Sequence, residues 1–357
     1  MKGIVLHGGH GTRLRPLTHT GPKQLIPVAN KPISQYVLED LKESGIEDIA
    51  IVVGHIQPEE VKDKYGDGRE LGLNITYIKQ EEPKGIAQAV GLCEDFVGEE
   101  RFVVYLGDNL IKDEISRLVD KFDNSDSEAL IFLNEVEDPT KFGVAEFDEK
   151  DELVNLIEKP DDPPSNYALT GIYFFTPKVF EMINQLEPSW RGELEITEAI
   201  QMLLDEGYEV EYDVVEGWWK DTGTPRDVLA ANRLILDDDF QPELEGEIED
   251  RSQLQGRVSL GENSKVEANA KIRGPVVIGK NSVIKSGVYI GPYTSIGNNV
   301  KIKNGEIENS ILMDNCLVDI DERILNSLIG NKCEITAKNS KPTGKSLVIG
   351  DSSKLRI

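Results

Sequence analysis

The sequence predicts an α/β protein of two domains, with a Rossmann-like, mostly parallel sheet carrying helices on both faces, followed by a left-handed parallel β-helix. Short apolar runs alternate with helical patterns up to about residue 236, and from Ile248 an aliphatic residue recurs every six positions. A length of 357 residues also exceeds what one core usually organises. The predicted domains are 1–236 and 247–357, joined by an acidic, proline-bearing linker at 237–246.

The first part alternates strand and helix patterns. Strands are predicted at residues 4–6, 49–53, 102–106 and 129–133, and helices beginning at Pro32, near Ile86 and near Glu114. The first helix carries its apolar residues at the spacing of a half-buried face, and its proline stands at the start, where a missing N–H is tolerated. Alternating strands and helices favour a parallel sheet, in which ligands bind beyond the carboxyl ends of the strands.

The second part repeats every six residues. If about one residue in four is Ile, Leu or Val, ten consecutive matches arise by chance about once in a million. The pattern predicts a hexapeptide β-helix similar to the left-handed form, in which three hexapeptides make one triangular coil. The register slips after Lys303 and partly resumes at Ile311, Leu317, Ile329 and Ile335, which indicates an inserted loop or an irregular coil. The ten aliphatic positions are Ile248, Leu254, Leu260, Val266, Ile272, Ile278, Ile284, Ile290, Ile296 and Ile302.

The charge balance restricts the partners. A formal net charge of −26 argues against a nucleic-acid or membrane-surface binder, because both partners present phosphates. A nucleotide can still bind where cations are concentrated locally. No Asp or Glu lies between Met1 and Pro32, and this segment carries Arg13, Arg15, Lys23 and Lys31.

The cysteines and the apolar runs indicate the compartment. Cys93, Cys316 and Cys333 are odd in number and widely spaced, so a disulfide framework is not expected. The apolar run at the N-terminus is too short for a signal peptide, and no later run is long enough to span a membrane. We therefore expect a cytoplasmic protein.

A glycine-rich loop, GGHGTRLRP at 8–16, directly follows the first predicted strand. Glycines let the backbone approach a phosphate closely, and successive N–H groups can bind an anion. The loop lacks the Lys-Ser/Thr pair of a Walker motif, and Leu14 stands where a dinucleotide fingerprint needs its third glycine. An ordinary glycine turn is the alternative, but it would not require Arg13 or Lys23 nearby.

Further motifs follow in order, and together they resemble the sugar-1-phosphate nucleotidylyltransferases. Within this family the chain resembles the long form of glucose-1-phosphate thymidylyltransferase, which carries a C-terminal β-helix. One departure is His7, which stands before the double glycine where the family usually has a small residue. Besides the glycine loop, the motifs are PKQL at 22–25, NKP at 30–32, QEEPKGIAQA at 80–89, LGDN at 106–109, FGV at 142–144, EKP at 158–160, SNYA at 165–168, TGIY at 170–173, RGELEIT at 191–197 and WKDTGT at 219–224.

The resemblance implies a reaction. A sugar-phosphate oxygen attacks the α-phosphorus of a nucleoside triphosphate, here dTTP with α-D-glucose 1-phosphate, and pyrophosphate leaves. The nucleophile is already an anion at neutral pH, so no general base is needed. Catalysis then depends on positioning and on electrostatic stabilisation, which suits cations, backbone amides and carboxylates that bind Mg²⁺.

The resemblance also assigns residues to roles. The catalytic residues would be Arg13, Lys23, Asp108, Lys159 and Asp221, with Mg²⁺ held by Asp108 and Asp221. The sugar phosphate would contact Asn109, Gly143, Glu158, Lys159 and Tyr173. The nucleotide would contact Leu6, Gly8, Gly9, Gly11, Thr12, Arg13, Lys23, Gln24, Gln80, Pro83 and Gly85.

Three other functions stay open at this point. A UTP-dependent enzyme acting on glucose or N-acetylglucosamine 1-phosphate differs in its nucleotide by one methyl group, worth about 1–3 kcal/mol in a pocket. A β-helix can be an acyltransferase, but relatives of that kind use a histidine and none follows His55. A non-catalytic regulatory homologue would be expected to lose the cations or carboxylates that this chain keeps. For the β-helix we expect a role in homo-oligomerisation, as a trimer or a dimer of dimers.

Overall fold

The computed structural model describes residues 1–238, 240–250 and 252–337. Contacts within the chain divide it into two compact units, Met1–Ile235 and Leu236–Ile357. Residue 239 of the predicted linker and residues 251 and 338–357 of the predicted β-helix lie outside the described residues.

The first unit contains strands and helices in alternation. Its strands are β1 (Lys2–His7), β2 (Pro27–Val28), β3 (Lys31–Pro32), β4 (Asp48–Val53), β5 (Asn74–Lys79), β6 (Phe102–Leu106), β7 (Asn109–Ile111), β8 (Ala129–Glu135), β9 (Gly143–Phe147), β10 (Leu153–Glu158), β11 (Tyr167–Phe175), β12 (Val210–Val214) and β13 (Trp219–Asp221). The helices are α1 (Ile33–Glu43), α2 (Pro58–Tyr65), α3 (Ile86–Gly91), α4 (Glu94–Val97), α5 (Ile115–Asp123), α6 (Lys178–Ile183), α7 (Ile196–Asp205) and α8 (Pro225–Asp238), which runs three residues beyond the unit. The predicted strands and helix starts are confirmed.

The main sheet is mixed in direction. Its order is β10-β9-β11-β6-β1-β4-β5, with β8 beside β11 and β12 beside β8. Strands β6, β1, β4 and β5 run parallel, as predicted, and β12 is parallel to β8. Strand β11 is antiparallel to β6, β8 and β9. This reversal follows the β9–β10 hairpin, which returns the chain to the sheet without a crossover helix.

Helices cover both faces of this sheet, as predicted. Alternate residues of β1 point to opposite faces, so Val5 belongs to one apolar core and Leu6 to the other. Helices α1, α2 and α5 pack on the Val5 face, and α3, α6 and α7 pack on the Leu6 face. The strands are therefore buried on both sides, and polar side chains collect at their ends.

A small ribbon lies at the carboxyl end of β6. Strand β7 pairs antiparallel with β13, and Asn109 lies opposite Asp221. Residues separated by about a hundred positions in the sequence thus meet at the carboxyl ends of the strands, where sheets of this kind usually bind ligands.

The second unit is a stack of parallel strands with an 18-residue repeat, the arrangement of a parallel β-helix. Val266 pairs with Ile284, and Ile284 with Ile302. The predicted inward positions from Leu260 to Ile302 are buried, whereas Ile248 in the first coil is 38% exposed. The left-handed sense stays a prediction. The strands are β14 (Glu247–Ile248), β15 (Gln253–Gln255), β16 (Val258–Leu260), β17 (Lys265–Val266), β18 (Lys271–Arg273), β19 (Val276–Ile278), β20 (Val283–Ile284), β21 (Tyr289–Ile290), β22 (Thr294–Ile296), β23 (Lys301–Glu308), β24 (Ile311–Leu312), β25 (Leu317–Leu325), β26 (Leu328–Ile329) and β27 (Glu334–Thr336).

The register slip after Lys303 arises from shorter coils. Ile296 pairs with Leu312 and Ile302 with Val318, so the repeat falls to 16 residues there. Strand β23 continues through a corner and pairs with both β20 and β21, with Gly305 at φ +118°. The irregular coil is confirmed and contains no inserted loop. Leu312 and Val318 point inward. The predicted inward positions, Ile311 and Leu317, were therefore one residue too early.

The segment predicted to link the domains, 237–246, carries local structure. Helix α8 extends to Asp238. The Leu260 N–H donates to the Glu243 carbonyl at 2.8 Å, and the Glu245 N–H donates to the Leu260 carbonyl at 2.8 Å. Residues 243–246 are therefore already hydrogen-bonded to a coil of the β-helix. In the described part of the chain, we find no helix with the length and apolar character needed to cross a membrane.

Candidate active site

The glycine loop leaves β1 at the ligand end of the sheet. Gly9 and Gly11 have φ values of +95° and +56°, which favour glycine. The Gln24 side-chain amide donates to the Gly8 carbonyl at 3.1 Å, and a Cβ added at Gly8 would lie 2.5 Å from Gln80 Oε1. Two side chains that were expected to bind the nucleotide, Gln24 and Gln80, thus pack directly against this loop.

Two other residues predicted to bind the nucleotide lie on either side of the loop. The Leu6 side chain is buried in the core, and its carbonyl accepts a hydrogen bond from the Gly107 N–H at 3.0 Å. Thr12 is exposed and begins the short 3₁₀ helix Thr12–Leu14 that ends the loop. Leu6 therefore contributes backbone atoms to this region, whereas Thr12 presents its side chain.

Lys23 forms an ion pair with Asp108. Asp108 is buried, and its carbonyl accepts the Thr222 N–H at 3.1 Å and the Thr222 hydroxyl at 2.7 Å. Burial alone would raise the pKa of Asp108, but the charge and hydrogen bond of Lys23 outweigh it and lower that pKa. The Asp108 carboxylate is therefore held in its charged form.

Asp221 lies beside this pair. Burial, and then the charge of Asp108, raises the pKa of Asp221 to about 6. A Cβ added at Gly223 would lie 2.7 Å from Arg13 Nη2 and 3.0 Å from Asp221 Oδ2, so both side chains border the same glycine. The structure thus brings together Arg13, Lys23, Asp108 and Asp221.

A second group of side chains surrounds Glu158. Lys159 has φ +45°, and its ammonium lies 3.0 Å from Glu158 Oε1. The Thr197 hydroxyl donates to Glu158 Oε2 at 2.7 Å. A Cβ added at Gly143 would lie 2.9 Å from that hydroxyl and 3.3 Å from Glu158 Oε2. Tyr173 also lies near Glu158, because burial, and then the charge of Glu158, raises the pKa of the Tyr173 hydroxyl. Four of the residues assigned to the sugar phosphate therefore converge.

The loop expected to hold the base is anchored to a neighbouring segment. Leu194 donates its N–H to the Lys84 carbonyl at 2.7 Å, and its own carbonyl accepts the Ala87 N–H at 3.1 Å. Gly85 lies between these two bonds at φ +111°, where any Cβ would overlap Leu194. Pro83 is half-buried on the same loop.

An aromatic contact connects the cluster of Arg13, Lys23, Asp108 and Asp221, which is the first group, with the second group around Glu158. The Trp219 indole N–H donates to Asn109 Oδ1 at 2.6 Å, and the Trp219 and Phe142 ring centroids are 5.2 Å apart. The Phe142 carbonyl in turn accepts the Lys159 N–H at 3.0 Å. Asn109, which was expected to meet the sugar phosphate, is buried beside Asp108 in the first group.

Models of two known protein families match the two parts of the chain. Residues 2–238 match the nucleotidyl transferase family model, and residues 272–354 match the GMPPB C-terminal domain model. The chain belongs to the nucleotidyl transferase family.

Relatives of this nucleotidyl transferase match it over the whole chain. The low-salt glycan biosynthesis nucleotidyltransferase Agl11 of Haloferax volcanii is 50% identical and is covered over 100% of both chains. A glucose-1-phosphate thymidylyltransferase of Streptomyces antibioticus is 46% identical, covering 100% of this chain and 99% of its own. A crystal structure from Bacillus anthracis, described as a glucose-1-phosphate thymidylyltransferase, is 44% identical with a TM-score of 0.64. It covers 68% of this chain and 97% of its own.

The carboxylates of this nucleotidyl transferase fit a divalent cation. Asp108 and Asp221 offer the hard oxygen ligands that Mg²⁺ prefers. Burial first, and then the charge of Asp108, raises the pKa of Asp221, and a bound cation would offset both effects. Among the described residues, no three His, Cys, Asp or Glu side chains converge on one point. The protein would therefore supply two ligands and leave the others to phosphate oxygens and water, as is usual for Mg²⁺.

The structure adds Arg191 to the predicted site. Its guanidinium contacts Glu158 at 3.4 Å, Glu195 at 3.1 Å and Glu193 at 3.0 Å. The motif at 191–197 was recognised from the sequence, but it carried no assigned role. Arg191 and Glu158 are 33 positions apart, so no local pattern could have paired them.

Proposed function

We propose that this nucleotidyl transferase catalyses the Mg²⁺-dependent transfer of a thymidylyl group from dTTP to α-D-glucose 1-phosphate, which gives dTDP-glucose and pyrophosphate. The clustering of Arg13, Lys23, Asp108 and Asp221 beside the glycine loop is the observation that carries this proposal. The thymidylyltransferase from Streptomyces antibioticus, 46% identical over the full length, supports the choice of substrates.

The chemistry requires one bond to form and one to break. An oxygen of the sugar phosphate attacks the α-phosphorus, and the bond from that phosphorus to the β-phosphate oxygen breaks, so pyrophosphate leaves with the electron pair. No proton has to move. Arg13 and Lys23 would bind the triphosphate and stabilise the charge that develops on the leaving group.

Lys159 would orient the attacking phosphate, and Glu158 would accept hydrogen bonds from sugar hydroxyls. Asp108 and Asp221 would hold Mg²⁺, which when bound neutralises phosphate charge and withdraws electrons from the α-phosphorus. Since the reactants are both anions, these residues mainly align them and reduce their repulsion.

The experiment is a substrate matrix of dTTP, UTP, ATP, GTP and CTP against several sugar 1-phosphates, with pyrophosphate release as the readout. We expect dTTP to exceed UTP in kcat/KM by about 5- to 150-fold, the ratio that one well-packed methyl group can provide. The Asp108→Asn variant serves as the inactive control. A preference for UTP would make the chain a uridylyltransferase, and no turnover with any pair would favour a regulatory homologue.

We also propose that the β-helix serves for homo-oligomerisation, as a trimer or a dimer of dimers, and that the reaction takes place in the cytoplasm. Stacked coils present flat faces suited to self-association, and a net charge of −26 disfavours nucleic-acid partners. Light scattering on the full chain tests the assembly. A mass equal to 39.7 kDa would contradict it.

A further inference from the structure

His7 is a buried polar residue with nothing to bind. It ends β1, is 3% exposed, and among the residues that the structure describes neither ring nitrogen has a hydrogen-bond partner. Buried polar atoms are nearly always paired, so this exception needs an explanation. Burial lowers the pKa of His7 to about 3, with Asp108 opposing and Lys23 adding to the effect. The imidazole is therefore neutral, with one N–H donor and one nitrogen acceptor.

The ring borders the segment that leads to Asp108, and the charges of both Asp108 and Lys23 act on it. A Cβ added at Gly107, the residue before Asp108, would lie 3.2 Å from His7 Nε2. The backbone next to His7 contacts the other segment, because the Gln24 amide donates to the Gly8 carbonyl at 3.1 Å and Gln24 follows Lys23. A movement of Lys23 or Asp108 would therefore change the surroundings of His7.

The pair would have to rearrange for the Asp108 carboxylate to turn to a divalent cation. In this structure the Asp108 carboxylate is engaged by the Lys23 ammonium, yet the same carboxylate would hold the divalent cation. In the substrate-free protein, where no triphosphate is bound, Lys23 then needs another acceptor. The Tyr65 hydroxyl, whose ring lies edge-on to His7 at 6.3 Å between centroids, is already hydrogen-bonded to Ser34 at 2.7 Å.

We propose that His7 is a positioning residue whose neutral imidazole accepts a hydrogen bond from the Lys23 ammonium when the Asp108 carboxylate turns to the divalent cation. The inference rests on the proposed function, because it assumes that Asp108 binds a metal. His7 would not touch the substrates. It would stabilise the arrangement in which Lys23 is released, and so strengthen binding of the cation.

Three variants separate this role from simple packing. His7→Phe keeps the ring volume and removes both nitrogens. His7→Ala removes the ring and leaves space that water can enter beside charged groups. His7→Asn keeps a hydrogen-bonding side chain. If the ring nitrogens of His7 matter, affinity for the cation should fall most in His7→Phe. If only packing matters, affinity should fall most in His7→Ala and stay nearly normal in His7→Phe.

The first readout is Mn²⁺ binding to the substrate-free, full-length protein, followed by electron paramagnetic resonance. We expect His7→Phe to raise the Kd for Mn²⁺ about tenfold, and Ala and Asn to stay within about threefold of the wild type. Circular dichroism and thermal melting confirm that each variant folds. Wild-type affinity in the Phe variant, or a larger loss in Ala than in Phe, overturns the proposal.

The second readout is the rate as a function of Mg²⁺ concentration. We expect His7→Phe to need about tenfold more Mg²⁺ for half-maximal rate, with kcat restored at saturation. A kcat that stays low at saturating Mg²⁺ would place His7 in catalysis itself and overturn the positioning role. If the wild type turns over no substrate, the proposed function fails, while the Mn²⁺ measurement still tests His7.

Discussion

The indole N–H of Trp219 donates to the side-chain oxygen of Asn109 at 2.6 Å, across the ribbon in which Asn109 lies opposite Asp221. Asn109 is buried, and its amide nitrogen lies 3.4 Å from Asp108 Oδ1. One hydrogen bond therefore connects the strand that ends in Asp221 to the residue that follows Asp108. Together with the hydrogen bonds from Thr222 to the Asp108 carbonyl, we expect this bond to set the distance between the two carboxylates.

Replacing Trp219 by Phe tests that dependence. The variant keeps a ring against Phe142 and removes the donor, so we expect kcat/KM to fall about tenfold and stability to fall by about 1 kcal/mol. Steady-state kinetics and thermal unfolding measure both quantities. Trp190→Phe is the control, because Trp190 is 82% exposed. Unchanged kinetics in Trp219→Phe would show that the ribbon does not align Asp221.

Asp221→Asn should make the substrate-free protein more stable while it abolishes activity. A carboxyl group whose pKa is about 6 in the folded protein, against an ordinary 3.8, is destabilised in its charged form at pH 8. That penalty disappears as the pH falls through 6 towards 4. We expect a gain of about 1–3 kcal/mol at pH 8 that vanishes near pH 4, measured by urea unfolding without Mg²⁺. A loss of stability at pH 8 would contradict the assigned environment.

Asp108→Asn should have the opposite effect on stability. The pKa of Asp108 is lowered because Lys23 outweighs burial, so its charge stabilises the fold above the ordinary pKa, and this contribution is lost as the pH falls through the lowered value. We expect a loss of about 3 kcal/mol at pH 8, since the variant leaves the Lys23 charge without its partner, and a turnover lower by orders of magnitude. Adding Lys23→Met should restore stability but not turnover. A double variant as unstable as Asp108→Asn alone would refute the pairing.

Lys159→Ala should impair use of the sugar phosphate. The ammonium contacts Glu158 and is the cation assigned to the attacking phosphate, so its loss removes orientation as well as attraction. We expect kcat to fall at least a hundredfold and the KM for the sugar phosphate to rise, while the KM for dTTP changes little. Lys150→Ala, at an exposed lysine, is the matched control. Near-normal turnover in Lys159→Ala would show that the sugar phosphate binds elsewhere.

Gly85→Ala should disrupt the loop that is assigned to the base. Gly85 combines φ +111° with a Cβ position that overlaps Leu194, so the loop has to move. We expect a loss of more than about 2 kcal/mol in stability and a KM for dTTP raised at least tenfold. Gly98 also has a positive φ, of +63°, but a Cβ added there would meet nothing within 4 Å. We expect Gly98→Ala to lower the free energy of unfolding by only about 1 kcal/mol and to leave the kinetics normal. Equal effects in both variants would mean that backbone strain alone is responsible.

Much of the fold followed from periodicity. The strands around β1 and the inward residues from Leu260 to Ile302 are set by local apolar patterns, and these were predicted correctly. The antiparallel entry of β11 was not predictable, because its apolar run is compatible with either direction. The shortened coils were also missed in detail, since Ile311 and Leu312 are both apolar and only the pairing with Ile296 shows which one points inward.

The site was predictable where a motif ends a strand and unpredictable where two distant charges meet. Asp108 lies two residues after the end of β6, so its place at the ligand end could be inferred from the strand alone. The contact of Arg191 with Glu158 depends on how β10 and α7 pack, which no local pattern encodes. The unpaired nitrogens of His7 were likewise invisible in the sequence, because burial and partners are properties of the folded chain.

The two coil lengths limit how the second unit could be lengthened by gene duplication. Copying an 18-residue block such as 266–283 would add one complete rung and leave every later aliphatic residue facing the interior. The same block placed after Lys303 would meet coils of 16 and 17 residues, where it would rotate polar side chains inward. Growth of this solenoid should therefore be tolerated near its beginning and rejected towards its end.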